Sequence, residues 1–275
     1  MKRLPQGARA VVTGGGSGLG KAICEELARR GARVLVTDVN LETAEATAEE
    51  LRRRGGEAHA MQVDVRHADQ VAAMAAKAES LWGGADVLVN NAGLAVVGEL
   101  GQIPVEEWQF QIDVNLMGVI WGCHHFGPKM AAQKSGFILN VASSAGLLAA
   151  PTMGPYNVTK AGVVALSETL FAELGRFGVS VSALCPTFLR TNIHKAARAY
   201  GGNTGAATDK LVTQAKWSAE EVARVAIDEM LAGRLYIIPQ IDGKVLWRVK
   251  RALGQSFYGV LRASVRSGAL NKIFR

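Results

Sequence analysis

The stretch Ala8-Arg9-Ala10-Val11-Val12-Thr13-Gly14-Gly15-Gly16-Ser17-Gly18-Leu19-Gly20, followed by a helical run from Lys21 to Arg30, decides the fold of this chain. Its apolar first part predicts a short buried strand. A glycine-rich turn between a strand and a helix is the setting of a phosphate-binding loop, because glycines let the backbone approach a pyrophosphate. The N–H groups that begin the helix then meet the negative charge. The stretch therefore predicts phosphate contacts at Gly14, Ser17, Gly18, Leu19 and Gly20.

A carboxylate follows at the position that distinguishes between two dinucleotides. The run Arg33 to Thr37 predicts a second strand, and Asp38 ends it, eighteen residues after Gly20. An acid at this spacing accepts hydrogen bonds from the adenosine ribose hydroxyls and repels a 2′-phosphate. Because Ser17 places no cation in the loop, the sequence favours NAD over NADP. The alternative is that Asp38 only forms a turn.

The rest of the chain alternates strands with helices that are rich in alanine, leucine and glutamate. With 275 residues and a hydrophobic fraction of 49%, the chain can build a sizeable core. No linker rich in proline or serine interrupts it before about residue 240. We therefore expect one doubly wound α/β domain of the Rossmann type, with a mostly parallel seven-stranded sheet and helices on both faces. The predicted strands are Ala8–Thr13, Arg33–Thr37, Ala58–Gln62, Val87–Asn90, Phe137–Val141, Ser180–Cys185 and Tyr236–Ile238.

A serine, a tyrosine and a lysine form the candidate catalytic group. Tyr156 and Lys160 lie four residues apart and share one helix face, and Ser143 lies thirteen residues before the tyrosine. A nearby cation favours phenolate and lowers the pKa of a tyrosine, which then serves as a general base or acid. Taken alone, the pair is equally compatible with a solvated helix face.

Several motifs recur in a fixed order, and together they resemble the short-chain dehydrogenase/reductase family over about residues 5 to 240. The motifs are Thr13-Gly14-x-x-x-Gly18-x-Gly20, Asp64-Val65, Asn90-Asn91-Ala92-Gly93, Asn115, Ser143, Tyr156 and Lys160. The resemblance implies hydride transfer between NAD and a secondary alcohol or ketone, in a homodimer or homotetramer.

The resemblance also implies a role for each matching residue. Asp64 and Val65 would flank the adenine, whereas Asn91, Ala92 and Gly93 would support the ribose and the sheet. Ser143 would hold the substrate oxygen, Tyr156 would take its proton, Lys160 would also grip the nicotinamide ribose, and Asn115 would hold a water that relays the proton.

One segment departs from the family pattern. The chain has Pro186-Thr187 where the family often has Pro-Gly, while Thr191 stands where a threonine commonly binds the nicotinamide carboxamide. A second interpretation is that the protein retains this fold as a dinucleotide sensor or scaffold and does not catalyse a reaction. The presence of all four candidate catalytic residues argues against this interpretation.

Apolar residues near these motifs suggest a substrate that is bulky and apolar, such as a steroid, retinoid or lipid. They are Leu94, Leu147, Leu148, Met153, Phe188 and Ile193, although core packing explains each of them equally well. Between Thr191 and Trp217 the periodicity is lost, which suggests a lid. Ser218 and Glu221 then predict a capping box that opens a helix.

Other features of the sequence concern the cellular compartment, metal binding and membrane insertion. Cys24, Cys123 and Cys185 are too widely spaced for a disulfide framework or a zinc site, so we expect free thiols in a reducing compartment such as the cytoplasm. We expect no metal, because the adjacent His124 and His125 point apart on a helix. The chain shows neither a signal peptide nor an apolar run of membrane-spanning length.

The C-terminal segment, residues 243–275, differs from residues 1–242. It has no acidic residue and eight of the 31 basic ones, which leaves 23 basic against 24 acidic residues in the rest. As a helix it carries an apolar stripe formed by Leu246, Val249, Leu253, Phe257, Val260 and Leu261. Lys244, Arg248, Arg251 and Arg262 fall on the opposite face. The segment packs on the domain or on another subunit, or it lies on an anionic membrane surface. Nucleic-acid binding is not expected, because no aromatic-basic motif accompanies the charges.

Overall fold

A computed structural model describes residues 4–190, 198–201 and 213–267 of the protein. All of the predicted strands are present and form a seven-stranded sheet in the order β3-β2-β1-β4-β6-β7-β9, in which every neighbouring pair is parallel. The strands are β1 (Arg9–Thr13), β2 (Arg33–Asp38), β3 (Ala58–Gln62), β4 (Val87–Asn90), β5 (Val96–Gly98), β6 (Gly136–Val141), β7 (Val179–Leu184), β8 (Arg198–Tyr200) and β9 (Tyr236–Ile237).

Helices cover both faces of this sheet, as expected for a doubly wound fold. They are α1 (Gly18–Arg29), α2 (Leu41–Arg53), α3 (Ala68–Trp82), α4 (Val105–Ile112), α5 (Gly118–Gln133), α6 (Ser144–Leu148), α7 (Gly154–Gly175), α8 (Ala219–Leu231), α9 (Ile241–Leu253) and α10 (Gln255–Arg266). Neighbouring strand residues face opposite layers: Val12 packs in the core beneath α1 and α8, and Val11 packs in the core beneath α3 and α5.

The strand order reverses between β1 and β4, which sit side by side in the sheet although two strands separate them in sequence. In open α/β sheets a ligand binds at such a point, outside the carboxyl ends of the strands. The glycine loop, Asp38, Asn91 and Ser143 all follow directly from strand ends at this edge.

Asn115 lies within a long helical segment. α4 continues into one π-helical turn, Asp113–Met117, which then joins α5. Wider i→i+5 turns of this kind occur often at functional sites. This turn places Asn115 in the interior.

Two short strands were not predicted. β5 pairs in parallel with β8 outside the main sheet, and each is only three residues long, too short for a periodic pattern. The capping box of α8 at Ser218 and Glu221 is confirmed. The predicted lid falls largely on residues outside the described ranges, among them Thr191 and Ile193.

The C-terminal segment forms two helices, so the single helix expected there was wrong. Gly254 separates α9 from α10 with a φ of 53°, a backbone conformation that glycine adopts readily. The boundary drawn between residues 242 and 243 falls in the first turn of α9. Within the described ranges, no helix combines the length and apolar character that crossing a bilayer requires.

Candidate active site

A groove of about 560 Å³ runs along the carboxyl edge of the sheet. It brings together the predicted phosphate, ribose and adenine contacts with three of the four candidate catalytic residues. The predicted residues that line it are Gly14, Ser17, Gly18, Leu19, Gly20, Asp38, Asp64, Val65, Asn91, Ala92, Gly93, Ser143, Tyr156, Lys160 and Pro186. Asn115 is not among the lining residues, and Thr191 lies outside the described residues.

The glycine loop is held in place by Asn91. Its Nδ2 donates to the carbonyls of Thr13 and Gly14 at 2.9 and 3.0 Å, while its backbone N–H donates to Thr13 Oγ1 at 3.0 Å. A Cβ on Gly20 would lie 2.0 Å from the Gly14 oxygen, so only glycine permits this close packing. Asn91 therefore acts on the loop that we assign to the phosphates.

The start of α1 fits an anion. Its N-cap, Ser17, makes no side-chain capping bond, and the first residues of the helix line the groove. The N–H groups of the first turn carry the positive end of the helix dipole. A pyrophosphate at this point would receive the hydrogen bonds that the first turn lacks within the helix.

Asp38 places a negative charge beside the loop, at the end of β2. Its two carboxylate oxygens accept from the backbone N–H groups of Gly16 and Asn40 at 3.0 and 3.1 Å. These bonds fix the carboxylate at the groove wall, next to the exposed side chain of Val39. Arg33 lies at the opposite end of the strand, where its guanidinium stacks over Trp82 at 5.5 Å.

Arg66 and Phe110 are among the groove residues that the sequence analysis missed. Arg66 Nε donates to both carboxylate oxygens of Asp64 at 3.0 and 2.9 Å, and this bonding lowers the pKa of the carboxyl group. The guanidinium of Arg66 also stacks on the Phe110 ring at 5.2 Å, with Arg198 over the same ring at 4.4 Å. Arg66 could have been predicted, because it directly follows the motif Asp64-Val65. No sequence feature indicated Phe110.

Ser143, Tyr156 and Lys160 converge on the groove. Ser143 caps α6 by accepting from the Ala145 N–H at 3.2 Å, and it also forms a hydrogen bond with Tyr156. Lys160 Nζ lies 5.7 Å from the centroid of the Tyr156 ring and donates to the carbonyl of Val141 at 2.8 Å. The i, i+4 spacing on α7 thus places phenol and ammonium on the same side, as predicted.

The protonation of this pair differs from the expectation. Burial raises the pKa of the Tyr156 phenol, and the hydrogen bond with Ser143 only partly opposes this rise. Burial also lowers the pKa of Lys160 to about 8. The predicted lowering of the Tyr156 pKa is therefore wrong for this arrangement, because desolvation outweighs the hydrogen bond with Ser143. The phenol is protonated at neutral pH.

Asn115 lies behind the groove. Its amide bonds twice to the backbone of Leu94, accepting from the N–H at 2.9 Å and donating to the carbonyl at 2.8 Å. A Cβ on Gly93 would lie 3.2 Å from Asn115 Oδ1 and 3.4 Å from Lys160 Nζ. The side chain of Asn115 thus fixes the Gly93–Leu94 wall next to the lysine.

An apolar wall adjoins the catalytic group. Leu94, Leu148, Met153 and Phe188 line the groove, as predicted. Leu147 does not, because it points from α6 into the core beneath α5 and α7. The sequence analysis missed Ala95, Ala150 and Leu189 on the same wall.

The fold and the groove define a dinucleotide-binding α/β protein with a serine, tyrosine and lysine at one end of its cleft. Residues 8–200 match the short chain dehydrogenase family. The chain belongs to this family of oxidoreductases, whose reaction is hydride transfer at alcohol and ketone groups.

Individual proteins of known sequence or structure agree. An uncharacterized oxidoreductase of Thermotoga maritima is 35% identical over 187 residues, which are 68% of this chain and 73% of the relative. The D-beta-hydroxybutyrate dehydrogenase of Rhizobium meliloti is 31% identical over 66% of this chain and 71% of its own length. The crystal structure of a short chain dehydrogenase/reductase from Burkholderia phymatum in complex with NAD superposes with a TM-score of 0.87 at 33% identity, covering 92% of this chain and 95% of that one.

Proposed function

We propose that this protein is an NAD-dependent dehydrogenase/reductase that interconverts a secondary alcohol and a ketone. The observation that carries the proposal is the convergence of Ser143, Tyr156 and Lys160 on one groove with the glycine loop. The loop residues and the start of α1 would hold the pyrophosphate, Asp38 the adenosine ribose, and Lys160 the nicotinamide ribose.

Tyr156 and Ser143 divide the acid-base work. When bound, the nicotinamide accepts or supplies the hydride. Ser143 orients the substrate oxygen, and Tyr156 gives it a proton in ketone reduction or takes one in alcohol oxidation. Because burial raises the pKa of Tyr156, its neutral form suits reduction at neutral pH, and oxidation gains as the pH rises. A proton relay through a water near Asn115 stays a prediction.

NAD rather than NADP is proposed from Asp38. Its carboxylate is fixed at the groove wall by two backbone N–H groups, so it cannot turn away from a 2′-phosphate without losing them. The repulsion between these two negative groups would disfavour NADP. The crystal structure of the Burkholderia protein in complex with NAD supports the same choice.

The substrate is proposed to be bulky and apolar, in the manner of a steroid, retinoid or lipid. The wall formed by Leu94, Leu148, Met153 and Phe188 supports this class. The Rhizobium relative, by its name, acts on hydroxybutyrate, which is also a secondary alcohol.

The setting of the enzyme is proposed from the remaining features. The three cysteines are buried free thiols, which supports a reducing compartment such as the cytoplasm. By family resemblance we propose a homodimer or homotetramer. We also propose that residues 1–242 form the catalytic unit and that residues 243–275 contact a membrane surface.

One experiment tests the reaction. The full chain is incubated with NAD and a panel of steroid, retinoid, acyclic and sugar alcohols while absorbance of NADH is followed. Turnover with an apolar secondary alcohol and NAD, absent in the Tyr156→Phe variant, is the expected result. NADH binding without turnover on any alcohol or ketone would instead favour the dinucleotide-sensing alternative.

A further inference from the structure

The outward face of α9 is an apolar ridge. Ile241, Val245, Val249 and Leu253 follow one another at intervals of four residues, so they line one side of the helix. Their exposed fractions are 75, 50, 39 and 47%. Four consecutive exposed apolar side chains on one helix face indicate an interaction surface rather than scattered surface residues.

The opposite face of α9 is fixed to the domain, so the ridge cannot turn inward. Trp247 packs on Tyr236 with their ring centroids 4.9 Å apart, and Lys250 donates to the carbonyl of Leu147. Gly243 lies so close to the domain that a Cβ there would be 2.8 Å from Thr187 Cγ2. The ridge therefore faces away from the catalytic domain.

α10 exposes both apolar and basic side chains. It contains no buried residue, and its exposed apolar side chains include Tyr258, Val260 and Val265. Arg262 and Arg266 share one side of this helix with Tyr258, since the three residues follow one another at intervals of four.

Every formal charge on this surface beyond Asp242 is positive. Lys244 and Arg248 lie beside the ridge, and Arg251 stacks over Trp247 at 5.0 Å. Within the described ranges, none of the cations of α9 and α10 forms an ion pair. In a two-fold contact between copies of the chain, the same patch would meet itself and bring like charges together. An anionic bilayer surface accepts the apolar ridge and attracts the cations at the same time.

We propose that the outer face of α9 and α10 docks on anionic lipid, and that this contact holds the substrate groove at the bilayer surface. α9 bonds to two segments that contain groove residues: Gln240, its N-cap, accepts from the Thr187 N–H at 3.1 Å, and Lys250 bonds to α6, which begins after Ser143. The docked helix thus lies next to the apolar wall. This inference builds on the proposed membrane contact, not on the proposed reaction.

Vesicle sedimentation tests it. The full chain is mixed with phosphatidylcholine vesicles, with or without phosphatidylserine, and the pelleted fraction is measured. We expect the affinity for the anionic vesicles to be at least about tenfold higher. Lys244→Glu with Arg248→Glu should reduce that affinity by at least about tenfold, and Val245→Ser with Val249→Ser should weaken it as well.

A matched control separates local from overall charge. Arg53→Glu with Lys77→Glu changes the net charge equally, on exposed positions of α2 and α3, and should sediment as the unaltered chain does. NADH binding should be unchanged in every variant, so that loss of sedimentation is distinguished from loss of the active site. Equal sedimentation of the control and the Lys244/Arg248 variant would overturn the proposal. So would self-association through the ridge without vesicle binding, measured by sedimentation velocity.

Discussion

The region up to residue 242 and the C-terminal helix pair of this protein use charge in opposite ways. Up to residue 242 the basic and acidic residues nearly balance, and many of them pair, as Arg9 does with Asp86 and Lys21 with Glu50. In α9 and α10 the charges after Asp242 are all basic, and the described part of the chain provides them with no ion-pair partner.

Burial follows the same division. The sheet carries fully buried valines and leucines on both faces, whereas α10 has no buried residue and α9 buries only a glycine. The comparison teaches that the first region is organised around its own core and groove, whereas the second leaves most of its apolar side chains exposed.

The largest expected effect lies at the centre of the first region. Tyr156→Phe removes the proposed acid-base group, so turnover should fall by about 10² to 10⁴-fold, the usual contribution of general acid-base catalysis. NADH binding should persist, because the change deletes one hydroxyl from the groove. Turnover is measured by stopped-flow or steady-state absorbance of NADH, and NADH binding is measured by fluorescence titration. Full activity in the variant would contradict the catalytic role proposed for this region.

Lys160→Met separates function from stability in the same region. The folded-state pKa of Lys160 is about 8, against an ordinary value of 10.5, so below pH 8 the fold must keep a buried cation. The unaltered chain therefore gains stability as the pH rises from 8 towards 10.5, and methionine has no such dependence. Allowing for the lost bond to Val141, the variant should be about 2 kcal/mol more stable at pH 7 and inactive.

Chemical denaturation of the unaltered protein and of Lys160→Met at pH 7 and pH 9.5 measures the difference in their free energies of unfolding. It should shrink at the higher pH. A variant that is less stable than the unaltered chain at pH 7 would show that Lys160 contributes to the fold rather than opposing it.

One substitution made in both regions compares them directly. Val36 is fully buried in β2, and Val36→Ala should lower the free energy of unfolding by about 2 kcal/mol. Val249 lies on the exposed ridge of α9, and Val249→Ala should change it by less than about 0.5 kcal/mol. Urea unfolding of the two variants checks this. Equal losses would mean that the ridge is part of a packed core and would break the comparison.

The smallest effect concerns the choice of cofactor. Asp38→Ala with Val39→Arg exchanges a carboxylate for a guanidinium at the groove wall. This change should lower the ratio of kcat/KM with NAD to kcat/KM with NADP by about tenfold or more. Val39→Arg alone, with Asp38 retained, is the control and should shift the ratio less. An unchanged ratio in the double variant would contradict the role given to Asp38.

Much of the domain could be predicted from sequence because its signals are local. Strand, glycine turn and helix follow one another within residues 8 to 30, and the carboxyl ends of parallel strands place Asp38, Asn91 and Ser143 at one edge. Spacing along a helix was enough to place Tyr156 beside Lys160.

The remaining features depend on tertiary structure. The pKa of Tyr156 is set by the burial of its surroundings, and burial at that position cannot be read from its neighbours in sequence. Likewise, the bonds of Asn115 to Leu94 and of Lys250 to Leu147 join residues that are distant along the chain. The break at Gly254 was signalled by the glycine itself, yet which helix face remained exposed was decided by packing of Trp247 on Tyr236.

The transfer of deuterium tests the central claim most directly. The full chain is incubated with NAD and its best secondary alcohol carrying deuterium on the carbinol carbon, and the mass of the NADH formed is measured. Direct hydride transfer in the groove beside Tyr156 predicts one deuterium in each NADH molecule. NADH without deuterium, or no NADH from any alcohol in the panel, would contradict the account.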